Sequence, residues 1–255
     1  MANPLSTDHI LITDEAGIRT IRMNRPDKKN ALTQAMYDTM AAALDDAGRN
    51  DAVRVVVFAG VPGAFSAGND LQDFLTMALS PENLARPVRD FLPALAICPK
   101  PMVAAVSGVA VGIGTTMLFH CDHVVASSDA TFSTPFASLG LLPEAASSLL
   151  GPRVMGHARA FELLVMGRPC SAAQAKEAGL VNAVVAPGDV DAVAMKAARD
   201  IAALPTGAVT IARKLLRGEP DEVLARIDKE NVLFAERLRS SEARQAFEAF
   251  FSRKK

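Results

Sequence analysis

KPMVAAVSGVAVGIGTTMLFHCDHVVASSDATFSTPFASLGLLPEAASSLL, residues 100–150, decides how the rest of the chain is read. Its opening apolar run, 102–106, stands between Pro101 and the pair Ser107-Gly108, which marks a short buried strand rather than a helix. Gly108, Gly112 and Gly114 follow and lead into an apolar run, 115–119, whose length suits a helix. The first turn of such a helix carries amide N–H groups with no partner inside it, a natural seat for an oxyanion. Further on, Glu144 follows Leu141-Leu142-Pro143 and precedes Ala145-Ala146-Ser147-Ser148, so one carboxylate sits in uncharged surroundings. Two readings of it stay open on pattern alone. It is a general base whose proton affinity is raised by desolvation, or it is a favourable negative charge in the first turn of a helix.

Upstream, the run 53–59, VRVVVFA, is β-branched and almost wholly apolar, as a strand covered on both faces must be. After Gly60-Val61-Pro62-Gly63 comes a second loop, FSAGNDL at 65–71, again opening a helix. A strand, a glycine loop and a helix used more than once predict an α/β fold with right-handed crossovers and the loops gathered at one end of the sheet. Before these units, 9–23 reads as a hairpin of two strands around Asp14-Glu15-Ala16-Gly17. A helix from 33 to 48 is predicted by Met36, Met40, Ala43, Leu44 and Ala47. Residues 81–97 read as helix interrupted at Pro87 and Pro93, and 123–126 and 131–133 as strands. Beyond Gly151 come helix at 153–166, a short helix between Ser171 and Gly179, a strand at 180–185, helix at 191–203, and a long charged helical stretch at 209–251. Two regions are expected in one compact unit: a mixed core over 1–190 and a C-terminal helical region over 191–255. The apolar residues of the latter, among them Val223, Leu224, Ile227, Val232, Phe234 and Leu238, need a surface to cover, part of it expected on another subunit.

The 255 residues include 27 basic and 28 acidic side chains, a formal net charge of −1, with half the residues hydrophobic. This balance has no electrostatic footprint for nucleic acid, and no apolar run reaches the length of a membrane span. Three cysteines, Cys98, Cys121 and Cys170, read as free thiols, and the first ten residues lack a basic start and an apolar core. A cytoplasmic protein is expected.

Several motifs fail on spacing. A dinucleotide fingerprint built on Gly112 and Gly114 needs its third glycine where Met117 stands, and no Gly-Lys-Ser/Thr closes a phosphate loop. The glycine before Ser66 is Gly63, one residue too distant for a nucleophile elbow. His120-Cys121-Asp122-His123 offers four ligand types in a row, but adjacent side chains do not converge on one ion, so no metal is expected. Lys28 and Lys29 read as solvated loop charges that an anionic ligand can use. Two glycine loops, each freeing an amide, remain as a candidate two-donor oxyanion hole.

FSAGNDL at 65–71, SGVAVGIGTTML at 107–118 and NRPDKKNAL at 24–32 together resemble the crotonase superfamily, the enoyl-CoA hydratase/isomerase family, and the resemblance extends over essentially the whole chain. It implies a spiral of ββα units with a C-terminal helical region, a homotrimer or hexamer, and an acyl-CoA thioester whose carbonyl oxygen lies between two main-chain N–H groups. The matching positions are Asn69, after Ala67-Gly68, and Ile113, after Gly112. By the same resemblance the loop 66–71, with Ser66, Ala67, Gly68, Asp70 and Leu71, faces CoA, Lys28 or Lys29 meets its phosphates, and Phe250 and Arg253 reach the CoA of a neighbouring subunit. No cofactor is implied, CoA being part of the substrate. Hydratases of the family use two glutamates, and the corresponding positions here are Thr116 and Phe136. With Glu144 as the single acid, the chain resembles instead the peroxisomal-type Δ3,Δ2-enoyl-CoA isomerases. Two alternatives stay open: a hydratase or other acyl-CoA lyase using an acid such as Asp70 or Asp73, and an acyl-CoA-binding module without turnover.

Overall fold

The computed structural model describes residues 3–70, 73 and 86–252, without the side chains of 86, 87, 250 and 251. Strands β1 (Ile10–Glu15) and β2 (Ile18–Met23) form an antiparallel hairpin in register from Ile10 opposite Met23 to Glu15 opposite Ile18. Ala16 and Gly17, with φ of 50° and 80°, make its two-residue turn, both in the left-handed region that a type I′ turn requires. Helix α1 (Gln34–Arg49) begins where the Thr33 hydroxyl accepts the Met36 amide and buries Met36, Met40, Ala43, Leu44 and Ala47 along one face. Strands β3 (Val55–Ala59) and β4 (Ala64–Ser66) follow, then α2 (Arg86–Ile97), β5 (Met102–Val106), β6 (Val109–Val111) and the short α3 (Ile113–Thr116). Next come β7 (His123–Ser127), β8 (Thr131–Ser133), α4 (Ser147–Leu164), β9 (Cys170–Ser171), α5 (Ala172–Glu177) and β10 (Ala183–Val185). Four helices close the chain: α6 (Val190–Ala202), α7 (Thr206–Arg217), α8 (Asp221–Leu238) and α9 (Ser241–Ser252).

The paired strands of each repeating unit part company. The first of each pair, β3, β5 and β7, enters a six-stranded sheet ordered β1-β2-β3-β5-β7-β10, while the second, β4, β6 and β8, enters a four-stranded sheet ordered β4-β6-β8-β9. Within both sheets these strands run parallel. The chain therefore advances as a spiral of ββα turns, the architecture the resemblance implies. Strands β3 and β5 are buried along their whole length, which accounts for their unbroken apolar sequence. The principal core lies on one face of the large sheet; Ile18, Val55, Val57, Val103, Ala105 and Val125 on the other face are covered by Val190, Ala194, Ala198 and Ala202 of α6.

Four expectations are corrected. The run after Gly114 is not one helix: α3 ends at Thr116 and tightens into a 3-10 turn over Met117–His120. Helix α4 starts at Ser147, ahead of the expected 153, and is broken within by Gly156 at φ 76°, ψ 158°. The charged stretch 209–251 is not continuous; Gly218 ends α7 with φ 74°, Pro220 precedes α8, and Ser240 precedes α9. Helix α6 is the second layer of the large sheet, so a division at residue 190 separates a core helix from its own sheet. In the terminal helices, Ile227 and Leu238 are buried and Val223, Leu224 and Phe234 pack against this chain's own core. Val232, and Ile211, Leu215 and Leu216 of α7, stay exposed.

Candidate active site

The two glycine loops interlock. A Cβ placed on Gly68 would stand 2.9 Å from the Val111 carbonyl oxygen, and one on Gly114 would stand 2.9 Å from the Ser66 carbonyl oxygen. Glycine is thus required at both points because backbone meets backbone. Gly112, at φ 55° and ψ −120°, turns the chain into α3 through a conformation essentially confined to glycine. The neighbouring amides are spent internally: Ala67 N–H donates to the Lys29 carbonyl, Asp70 N–H to Leu32, Gly112 N–H to Ser133, and Thr115 and Thr116 N–H to Gly112. The amides of Asn69 and Ile113 donate to no described residue. One is freed by its loop and the other by its place at a helix start.

Asn30 supports the first loop. Wholly buried and left-handed at φ 56°, it donates to the carbonyls of Ala64 (2.9 Å) and Phe65 (3.0 Å) and accepts the Arg25 amide at 2.7 Å. Ser66 is also buried; its hydroxyl donates to the Asn30 carbonyl at 2.9 Å and accepts the Gly68 amide at 3.1 Å. The Ser66 side chain thus braces the loop from within. Asp70 pairs with Arg25 at 2.7 Å, and Asp73 accepts the Gln34 amide at the start of α1 at 3.0 Å. Both candidate second acids are therefore committed to the scaffold. Lys28 and Lys29 are exposed beside the loop, and Ala67 is half-buried. Leu71 and Arg253 lie outside the described residues, as does the side chain of Phe250.

Glu144 is 6 % exposed and precedes α4 by three residues, so it is not in the first turn of that helix. Thr116 Oγ1 donates to its Oε1 at 2.5 Å. Burial pushes its carboxyl up to about 8; the Thr116 hydroxyl opposes that rise and the charge of Glu230 adds to it. Ala145 and Ala146 follow at φ 59° and 54°, two consecutive left-handed residues with side chains. Such backbone persists only where its surroundings impose it. His120 imposes part of it: Nε2 lies 2.7 Å from the Ala145 carbonyl, which can only accept, so Nε2 carries the proton. Burial depresses the imidazole to about 4, keeping it neutral. Tyr37, also buried, donates its hydroxyl to Asn69 Oδ1 at 2.5 Å, and its phenol is pushed up by burial and by the charge of Glu144. Phe136 turns a ring edge toward Gly112, 3.9 Å from where a Cβ would sit.

Thr116 meets Glu144, and Phe136 lies beside Gly112, which precedes Ile113, so these three positions carry one carboxylate. The row His120–His123 diverges: His120 faces Ala145, whereas Asp122 accepts the Met102 amide and the Arg213 guanidinium, both at 2.8 Å. Among the described residues no group of His, Cys, Asp or Glu is arranged to hold a metal. Tyr37 and Glu230 were absent from the sequence expectations, and His120 entered them only within a row of metal-ligand types. Only Glu230 left a signal, since its spacing from Ile227, Phe234 and Leu238 puts a charge on the inward stripe of α8.

A spiral of this kind, with a buried carboxylate and two loop amides that donate to no described residue, defines a class, and comparison with known proteins supplies its name. Residues 13–255 match the enoyl-CoA hydratase/isomerase family, and the chain belongs to that family. It is 38% identical over 250 residues to enoyl-CoA delta isomerase 2 of Rattus norvegicus, covering 96% of this chain and 64% of that one. It is 33% identical over 253 residues to 1,2-epoxyphenylacetyl-CoA isomerase of Escherichia coli (strain K12), covering 97% of each. Among solved structures, Pseudomonas aeruginosa OdaA superposes with a TM-score of 0.91 at 44% identity, over 96% of this chain and 99% of that one. No described helix is long and apolar enough to cross a membrane.

Proposed function

We propose that the chain moves the double bond of a 3-enoyl-CoA to the 2-position. Glu144, ionised, removes a proton from C2; the electron pair delocalises onto the thioester oxygen and through C3 and C4. The Asn69 and Ile113 amides hold the resulting enolate oxygen. Glu144 then returns the proton to C4, and a C2–C3 double bond results with no net change in atoms or electrons. One base suffices because the proton leaves and re-enters on the same side of one extended system, and the chemistry draws on no redox couple.

The observation that carries this reading is the buried Glu144 carboxylate, hydrogen-bonded by Thr116, with Phe136 beside Gly112 at the position where a hydratase of the family has its second acid. In this reading the exposed Lys28 and Lys29 meet phosphates of CoA, and Phe250 and Arg253 complete the site from a neighbouring copy in a trimer or hexamer. The exposed Ile211, Leu215 and Leu216 of α7 support assembly of this kind. Three free cysteines favour the cytoplasm.

The test is incubation with 3-hexenoyl-CoA and, separately, 2-hexenoyl-CoA, following double-bond position and water uptake by NMR and mass spectrometry. The 3-enoyl compound should be converted without hydration, and Glu144→Gln should lower turnover by about 10³-fold or more. Hydration of the 2-enoyl compound surviving Glu144→Gln would replace this reading by that of a hydratase. Tight acyl-CoA binding with no product would leave a binding module.

A further inference from the structure

Glu230 stands out among the charges of α8. Its neighbours Asp228 and Lys229 are exposed, whereas Glu230 is 3 % exposed and its carboxylate is fully engaged. Oε2 accepts the Ala146 amide at 2.6 Å; Oε1 accepts the Ser148 amide at 3.1 Å and the Ser148 hydroxyl at 2.5 Å. Arg226, one turn earlier on α8, donates to the same hydroxyl at 3.0 Å. Glu230 is therefore the anion that stabilises the start of α4, the role that pattern alone offered to Glu144. With both oxygens turned to that helix, it does not face the substrate as a second acid.

We propose that Glu230 is a positioning residue for Glu144: by accepting the Ala146 and Ser148 amides it holds the left-handed Ala145–Ala146 pair and so fixes where the Glu144 carboxylate stands against the Asn69 and Ile113 amides. The inference rests on Glu144 being the base. Only Ala145 and Ala146 separate Glu144 from α4, and the Glu144 carbonyl also accepts the Ser147 amide at 3.0 Å and the Ser147 hydroxyl at 2.6 Å. The turn cannot relax without carrying that residue along. The negative charge of Glu230 acts on the same group, opposing ionisation of Glu144, while Arg226 acts on Glu230 in the other sense.

The decisive variant is Glu230→Gln, which keeps the volume, removes the charge and turns an NH2 toward a donor. With 3-hexenoyl-CoA, kcat should fall 10- to 100-fold, on the order expected of a displaced catalytic group, with KM within about threefold. The lower limb of the pH profile should move to lower pH. Ser148→Ala, which retains both amide contacts, should show the same pattern at about two- to fivefold, and it carries the test if Glu230→Gln fails to fold. Glu144 is also followed directly by 13C NMR of glutamate-labelled protein, its carboxyl signal assigned by its loss in Glu144→Gln. Its midpoint should drop in Glu230→Gln. A lower melting temperature with unchanged kcat, KM and Glu144 titration would reduce Glu230 to a structural residue and overturn the proposal. If the wild type is silent with enoyl-CoA substrates, the reaction assignment fails; the NMR titration then decides separately, a moved midpoint supporting the positioning role and an unmoved one ending it.

Discussion

The two halves of the site are held in opposite ways. The loops that carry Asn69 and Ile113 are fixed by backbone against backbone, through Gly68 on Val111 and Gly114 on Ser66, and they present main-chain donors that no side chain needs to supply. The turn that carries Glu144 is fixed by side chains reaching in from elsewhere: Thr116 to its carboxylate, His120 to the Ala145 carbonyl and Glu230 to the Ala146 amide. The first half is a rigid electrostatic fixture. The second keeps a carboxylate in a place where burial opposes its charge, and that opposition suits the proposed role of a base near neutral pH. The loops should accordingly respond to volume, and the turn to charge and pH.

Among substitutions in the loops, volume has the largest expected effect. Gly114→Ala puts a Cβ 2.9 Å from the Ser66 carbonyl oxygen and 3.0 Å from Ser66 Cβ, neither at the end of a flexible side chain, so the loops must separate. Misplacing one oxyanion donor should lower kcat by about 10²-fold or more, with a lower melting temperature. Gly207→Ala, where a Cβ meets nothing within 4 Å, is the control and should leave both intact. If Gly114→Ala keeps full activity, the second donor is not the Ile113 amide.

Charge comes next, and it sets function against stability. The Glu144 carboxyl is raised in the folded chain from an ordinary 4.5 to about 8, so both states are protonated below pH 4.5. Between those values the unfolded chain ionises while the folded one holds its proton, and stability is lost as pH rises, completely so above about 8. Glu144→Gln retains an acceptor for Thr116 and removes this loss. Relative to wild type it should gain stability progressively over that window, by on the order of a few kcal/mol at the upper end, read by chemical denaturation at several pH values. An advantage independent of pH would mean that Glu144 is not desolvated.

The pH dependence of catalysis follows from the same group with a smaller expected change. As a base Glu144 acts only when ionised, so kcat/KM should rise with pH and level off above about 8. Thr116→Val removes the hydroxyl that favours the ionised form, which shifts the midpoint upward. At pH 7 the variant should lose about tenfold in kcat/KM, the equivalent of one charge-assisted hydrogen bond, and recover part of it at higher pH. A loss equal at every pH would assign Thr116 to substrate contact.

The same contrast explains what could be read in advance. The strands and loops were legible because their determinants are local: an unbroken apolar run in 55–59, and glycines at 68, 112 and 114 where the backbone requires them. Glu144 itself was legible as a lone acid. Its environment was not, because Glu230 lies 84 residues from the amide it accepts and His120 lies 25 from its carbonyl. Nothing in the local pattern marks an alanine pair as left-handed, since that conformation is imposed by partners that meet only in the fold. The bracing role of Ser66 was hidden for the same reason: sequence places it on the glycine loop, and only packing turns its hydroxyl inward.

Asn69 is the residue at which main chain and side chain are most easily confused, and its substitution is expected to matter least. Its Oδ1 accepts the Tyr37 hydroxyl at 2.5 Å, which ties the loop to α1 next to the ring of Phe91, whose centroid is 5.4 Å from that of Tyr37. Asn69→Ala leaves the N–H in place and removes only this tie. The phenol is then a buried donor without its partner, which should destabilise the fold by about 1–3 kcal/mol. The loop itself remains pinned by Gly68 on Val111 and by the Leu32 and Asp70 amides, so kcat should change by no more than about two- to fivefold. Tyr37→Phe, which deletes the donor as well as the bond, should restore part of the lost stability in the double variant while leaving kcat where Asn69→Ala put it. If Asn69→Ala instead approaches the loss seen in Glu144→Gln, the side chain and not the amide is the oxyanion donor, and the division between a backbone fixture and a side-chain-held base no longer describes the site.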